Sequence, residues 1–167
     1  MKELSCSFTG HRIIPSQDAA AVKERIYKAV SYLVKGGYTD FLCGGALGFD
    51  MMAAIEVIRY KKENGNIRLI LALPCKNWDS RWNSKSREIY KKIIEKADSV
   101  IYVSEEYTPY CMHKRNRYLI DNSKVCIAYY AGGGGGTAYT VKYAMDRGTQ
   151  VYNLKEYISG GTENGIF

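Results

Sequence analysis

The chain contains 167 residues, the size of one domain and enough to bury a core without help from disulfides or metals. Hydrophobic residues make up 46% and charged residues 25% of it, which excludes a disordered or fibrous protein. Lysine and arginine number 24 against 17 aspartate and glutamate, so the formal net charge is +7. This surplus favours anionic partners such as nucleotides, nucleic acids or acidic surfaces.

The five cysteines are spread through apolar runs, and no two of them form a CxxC pair. This distribution is typical of reduced, buried cysteines in a cytosolic protein rather than of a zinc site. No apolar run approaches the ~20 residues of a membrane span, and the first residues lack the apolar region of a signal peptide. We therefore expect a cytoplasmic protein with no bound metal and no membrane contact.

Short apolar runs alternate with amphipathic segments along the chain. Strands are predicted at 4–8, 41–43, 67–73, 99–103, 125–130 and 149–152, with one helix between each successive pair. The pattern predicts a single α/β domain at 1–155, with a parallel sheet of about six strands and helices on both faces. Residues 156–167 show little periodicity and are predicted to form a C-terminal tail.

Three strand-to-helix junctions, at 9–12, 44–50 and 132–137, carry glycines. Ligands of parallel sheets bind beyond the carboxyl ends of the strands, near the point where the strand order reverses. Glycines let the backbone approach a ligand closely, and helix N-termini present unpaired N–H groups to anions. Together with Arg12, these junctions predict a phosphate cradle; the alternative is that the glycines only close tight turns.

The common nucleotide-binding fingerprints are missing. Neither glycine loop fits GxGxxG, and no lysine follows the glycine run as in a P-loop, so the sequence supports neither a typical NAD-dehydrogenase site nor a P-loop NTPase. Asp50 is expected to cap the helix that it opens. His11 either contacts phosphate or is a satisfied loop histidine, and Trp78 and Trp82 either stack on a nucleobase or pack against the core.

Four motifs occur in a specific order along the chain, at 7–12, 44–50, 112–116 and 133–137. With these motifs the chain resembles the YpsA-type branch of the SLOG superfamily (domain of unknown function 1273). That branch is related to the LOG lysine decarboxylase-like proteins and to the DNA-processing protein DprA. The resemblance covers about residues 4–153 and implies a Rossmann-like fold and a nucleotide-derived ligand, NAD derivatives included.

LOG enzymes are phosphoribohydrolases with a PGGxGTxxE motif and an earlier Arg-Lys pair. The matching positions here are Gly133, Gly134, Gly136 and Thr137, with Met112, His113 and Arg115 in the earlier segment. Asn116 stands at the lysine position, Gly132 at the proline position and Thr140 at the glutamate position. A threonine hydroxyl cannot replace the carboxylate that glycoside cleavage requires, so the departures favour binding over turnover.

The first hypothesis is therefore a nucleotide-binding module for an ADP-ribose- or NAD-like molecule or a nucleoside phosphate, with no required cofactor. It would sense, sequester or process its ligand, acting through a partner or as a homo-oligomer. The predicted ligand-binding residues are Gly10, His11, Arg12, Gly44, Gly45, Ala46, Asp50, Arg115, Asn116, Gly133, Gly134, Gly135, Gly136 and Thr137. Two alternatives are a phosphoribohydrolase that uses Asp50 or Glu105, and a DprA-like binder of single-stranded DNA.

Overall fold

The computed structural model describes residues 2–159, in which strands and helices alternate after a 3₁₀ turn at Lys2–Leu4. The strands are β1 (Ser5–Gly10), β2 (Asp40–Cys43), β3 (Arg68–Leu73), β4 (Ser99–Tyr102), β5 (Val125–Tyr129) and β6 (Gln150–Asn153). The helices are α1 (Ala19–Lys35), α2 (Phe49–Asn64), α3 (Ser84–Lys96), α4 (Cys111–Asp121), α5 (Gly136–Asp146) and α6 (Leu154–Ser159). Within residues 2–159, no helix is long and apolar enough to cross a membrane.

All six strands are parallel and lie in the order β4-β3-β2-β1-β5-β6, which confirms the predicted α/β class and a Rossmann-like sheet. The chain builds outward from β1 to β4 and then crosses back to place β5 on the other side of β1. The strand order therefore reverses between β1 and β5, where Gly10 pairs with Tyr129 at the carboxyl ends. Loops that leave such a point in opposite directions open a crevice, which is the usual ligand position in this fold.

The sheet is covered on both faces, because neighbouring strand residues point to opposite sides. Phe41 packs into the larger core cluster with Val22 and Ile26 of α1, whereas Leu42 packs with Leu119 of α4 on the other face. The five cysteines are all buried and free, as the sequence predicted. Burial on both faces explains why β3 and β5 are almost wholly apolar.

Helix α6 is the element that the sequence did not predict, because the tail was expected to begin at residue 156. Leu154 is fully buried, and Tyr157 and Ile158 pack against the larger core cluster. Three apolar residues on a helix of six residues are too few to produce a recognisable helical period. The remainder of the predicted tail, residues 160–167, lies outside the described residues.

Candidate functional site

A cleft of about 380 Å³ opens at the carboxyl edge of the sheet, beside the β1–β5 switch point. Four separate segments of the chain line it. The lining residues are Thr9, Gly10, His11, Arg12, Ala46, Asp50, Met112, His113, Arg115, Asn116, Gly134, Gly136 and Thr137. Most of the predicted ligand-binding residues are thus brought together, and the remaining four, Gly44, Gly45, Gly133 and Gly135, lie in the same two loops.

His11 joins the three glycine-containing loops to one another. Its N–H donates to Tyr129 O at 3.2 Å, and its carbonyl accepts from Phe49 N–H at 3.1 Å. Its Nε2 accepts from Ala131 N–H at 2.8 Å, at the start of the glycine run. A neutral His11 therefore carries its proton on Nδ1, and its ring holds the loop after β5 against the loop after β1.

Close packing of glycines fixes the position of the loop after β2. A Cβ on Gly10 would lie 2.4 Å from the ring of Phe49, so the ring can rest directly on the backbone of β1. A Cβ on Gly48 would lie 2.2 Å from the carbonyl oxygen of Arg12, and Gly48 has a φ of +82°. These two positions exclude larger residues, because backbone and a buried ring cannot move aside cheaply.

Gly44 lies between two buried charged side chains. A Cβ at this position would be 2.7 Å from Arg115 Nη1 and 2.8 Å from Asp50 Oδ2. The Arg115 guanidinium donates to Gly44 O and, through Nε, to Asn116 Oδ1 at 2.7 Å. Asp50 and Arg115 are only 5% and 3% exposed, so the base of the cleft holds a carboxyl group and a guanidinium with little access to water.

Burial dominates the protonation of this pair. It raises the pKa of Asp50 to about 6, while Arg115, the N–H of Ala46 and Arg12 act in the opposite direction. Burial likewise lowers the pKa of Arg115, although the nearby Asp50 favours the charged guanidinium. Asp50 is consequently a carboxyl group whose pKa lies well above that of an exposed aspartate. A buried carboxyl group with a raised pKa is a feature of ligand sites and also of structural charge networks.

Asp50 does not cap its helix, in contrast to the sequence prediction. The N-cap position of α2 is Gly48, and Asp50 Oδ2 accepts from Ala46 N–H at 3.3 Å. Asp50 lies in the first turn of α2, and its carboxyl group points back towards the loop after β2. The buried Arg115 lies near it there. Negative charge in this turn is favourable to the helix dipole.

The glycine run after β5 has space around it. Gly132, Gly133 and Gly135 have positive φ angles, and a Cβ on any of these or on Gly134 would meet no atom within 4 Å. Three hydrogen bonds hold the base of the loop in addition to the one from Ala131 to His11: Tyr130 Oη donates to Gly133 O at 2.6 Å, and the Asn153 side chain pairs with both backbone groups of Tyr130. The sequence did not identify Asn153, whose only signal was its position at the end of the last strand.

Thr140 is turned away from the cleft. Its side chain is buried and its Oγ1 donates to Gly136 O at 2.8 Å, within α5. Glu105, the other carboxylate considered for hydrolysis, is exposed and does not line the cleft. Asp50 is the one acidic side chain among the residues that line this cleft.

The two tryptophans pack with each other and with α3 instead of lining the cleft. Their ring centroids are 5.0 Å apart, and Trp78 Nε1 donates to Tyr90 Oη at 2.8 Å. The guanidinium of Arg115 lies 5.6 Å from the centre of the Trp78 ring, so Trp78 borders the buried charged pair. The core-packing alternative describes this geometry better than base stacking does. Among residues 2–159, no group of three or more His, Cys, Asp or Glu residues is placed to hold a metal ion.

Solved structures of DNA processing protein A share this fold. The Helicobacter pylori protein, described for its single-stranded DNA binding mode, gives a TM-score of 0.62 at 17% identity. The Streptococcus pneumoniae protein gives a TM-score of 0.64 at 16% identity. The alignments cover 89% and 96% of this chain but only 63% and 54% of those chains. At these identities the likeness concerns the fold.

Sequence relatives define the family more narrowly. The SPbeta prophage-derived protein YoqJ of Bacillus subtilis is 33% identical over 148 residues, which cover 80% of this chain and 86% of YoqJ. The sequence profile of the YspA SLOG family matches residues 15–158. These matches agree with the four ordered motifs and with the reversal of the strand order between β1 and β5. The chain belongs to the YspA SLOG family.

Proposed function

We propose that the protein binds a nucleotide-derived small molecule in the cleft between the ends of β1 and β5, without hydrolysing it efficiently. The ligand class is ADP-ribose, an NAD-like molecule or a nucleoside phosphate. The observation that carries this proposal is the convergence of the loops at 9–12, 44–48 and 132–136 with α4 on one cleft at the switch point of the sheet.

The phosphate groups belong at the open side of the cleft. The glycine run from Gly133 to Gly136 offers backbone N–H groups without side chains in front of them, and it leads into the N-terminus of α5. Arg12 is exposed and lines the same cleft. Arg115 is buried below and already donates to Gly44 O, so we assign it to holding the loop after β2 and keeping the cleft positive.

The arrangement favours binding over turnover. The position that is a glutamate in LOG phosphoribohydrolases is occupied by Thr140, whose hydroxyl is used inside α5. Asp50 is the carboxyl group that remains for a reaction, and it lies in the base of the cleft beside Arg115. A sensing or sequestering role needs no reacting carboxylate.

The test is calorimetric titration of the full chain with ADP-ribose, NAD and AMP, together with mass spectrometry of any small molecule that co-purifies. Arg12→Ala is expected to weaken binding by ~1.5–3 kcal/mol, roughly tenfold to a hundredfold. Lys62→Ala is the charge-matched control, because Lys62 is exposed in the last turn of α2, at the opposite edge of the sheet. Absence of binding by all three compounds would overturn the proposal. Release of free base when the protein is incubated with these compounds would show that it hydrolyses its ligand.

Single-stranded DNA is the second candidate ligand, favoured by the fold shared with DprA and by exposed aromatic residues at the same edge. Tyr107 and Tyr110, on the loop after β4, are 72% and 74% exposed, and bases stack on such side chains. If DNA is the ligand, affinity for an oligothymidylate falls steeply between low and moderate salt, and a Tyr107→Ser/Tyr110→Ser variant binds it weakly. ADP-ribose binding should be far less sensitive to both changes.

A further inference from the structure

One pair of parallel rings lies at the rim of the cleft, on the side of α4 and α5. The centroids of His113 and Tyr139 are 4.1 Å apart and the rings are tilted by only 7°. His113 is exposed and lines the cleft, whereas Tyr139 does not line it. Tyr139 therefore backs the imidazole from the side away from the cleft.

Several contacts hold these rings in place. Arg117 Nη1 donates to Tyr139 Oη at 3.1 Å, and Tyr143 continues the stack with its ring tilted by 11° at 6.3 Å. Tyr143 Oη in turn donates to Asp121 at 2.9 Å. The plane of His113 is thus set by a column of rings that is anchored to both helices, as a preorganised stacking surface requires.

The column is close to the glycine run in the fold. Tyr139 lies in the first turn of α5, three residues after Gly136, which is about 4.5 Å along the helix axis. A ligand with its phosphates at the glycine run would bring a planar base within reach of the rim. Trp78 and Trp82 are packed against each other and Tyr90 and do not line the cleft, so they do not compete for this position.

We infer that His113, backed by Tyr139, is the stacking surface for the nucleobase of the bound nucleotide. This inference rests on the proposed function and assigns the base subsite of the same cleft. It predicts that the ligand carries an aromatic base and that the base contributes to affinity separately from the phosphates. Stacking does not read hydrogen-bonding groups, so the subsite accepts more than one base.

The experiment compares ADP-ribose with ribose 5-phosphate, which has a phosphate but no base. His113→Ala and Tyr139→Leu are each expected to lower affinity for ADP-ribose about tenfold and to leave that for ribose 5-phosphate unchanged. Tyr32→Leu, which changes an exposed tyrosine of α1, is the matched control and should alter neither.

A spectroscopic readout separates stacking from a purely structural role. The chain has two histidines, so the histidine Cε1–H signals are assigned by comparing the wild type with His113→Gln. ADP-ribose should shift the His113 signal upfield through the ring current of adenine, and ribose 5-phosphate should not. If ADP-ribose binds in an Arg12-dependent way but neither shifts this signal nor loses affinity in His113→Ala, the stacking inference is wrong and the proposed function stands. If none of ADP-ribose, NAD and AMP binds, both are wrong.

Discussion

Nε2 of His11 accepts a hydrogen bond from the backbone N–H of Ala131 at 2.8 Å, across 120 residues of sequence. This contact joins the loop after β1 to the loop after β5, on either side of the point where the strand order reverses. The distance between these loops sets the width of the cleft. His11 therefore acts on the candidate site by positioning the glycine run.

Replacing His11 tests that positioning role. His11→Leu removes the acceptor, and we expect a loss of about 0.5–1.5 kcal/mol in the free energy of unfolding and faster hydrogen exchange at Ala131 and the glycines after it. His11→Gln places an amide oxygen near the position of Nε2 and should restore most of the protection. Equal exchange at Ala131 in all three proteins would show that the contact does not hold the loop.

The glycines of the two loops should respond differently to a methyl group. Gly44→Ala places a Cβ within 3 Å of Arg115 and Asp50, both buried, and we expect urea denaturation to show a loss of ~1–3 kcal/mol in stability. Gly134→Ala places its Cβ in open space at an ordinary φ, so stability should change by less than about 0.5 kcal/mol. If phosphate sits on the glycine run, Gly134→Ala should still lower ADP-ribose affinity, by about tenfold. Unchanged affinity would place the phosphate elsewhere.

Arg115 and Asp50 should behave as an energetically coupled pair. Arg115→Met leaves Asp50 buried without its nearby positive charge and removes the donor to Gly44 O, so a loss of about 3–5 kcal/mol in unfolding free energy is expected. Adding Asp50→Asn should recover part of this loss, and a double-mutant cycle measures the coupling. Additive losses would mean that the two side chains do not interact.

Ligand affinity should depend on pH through Asp50. Its pKa is raised to about 6 by burial, so the carboxyl group is mostly neutral below that pH and negatively charged above it. Its negative charge repels an anionic ligand, so affinity for ADP-ribose should fall, roughly tenfold or less, as the pH rises from about 5 to about 7.5. ADP-ribose is the suitable ligand because its pyrophosphate does not titrate in this interval. Calorimetry with Asp50→Asn is the control, and the contribution of Asp50 is the part of the pH dependence that this variant lacks.

Much of the architecture followed from local patterns in the sequence. Alternating apolar runs and amphipathic segments predicted the six strands and the helices between them, because burial on both faces of a parallel sheet demands such runs. Glycines at or shortly after the ends of β1, β2 and β5 predicted the edge at which a ligand would lie. Helix α6 was missed because its six residues contain too few apolar positions to show a period.

Tertiary structure decided the rest of the site, because burial and partners depend on residues far apart in sequence. The sequence placed Asp50 at a helix start, but only the packing of the loop after β2 and of α4 around it buries its carboxyl group, which raises its pKa, and sets Arg115 nearby, which acts in the opposite direction. The sequence suited Trp78 and Trp82 equally to base stacking or to packing, and only the tertiary structure shows their ring contacts with Tyr90. The face-to-face stacking of His113 on Tyr139 has no local signal at all, since it arises where two helices from different βα units meet.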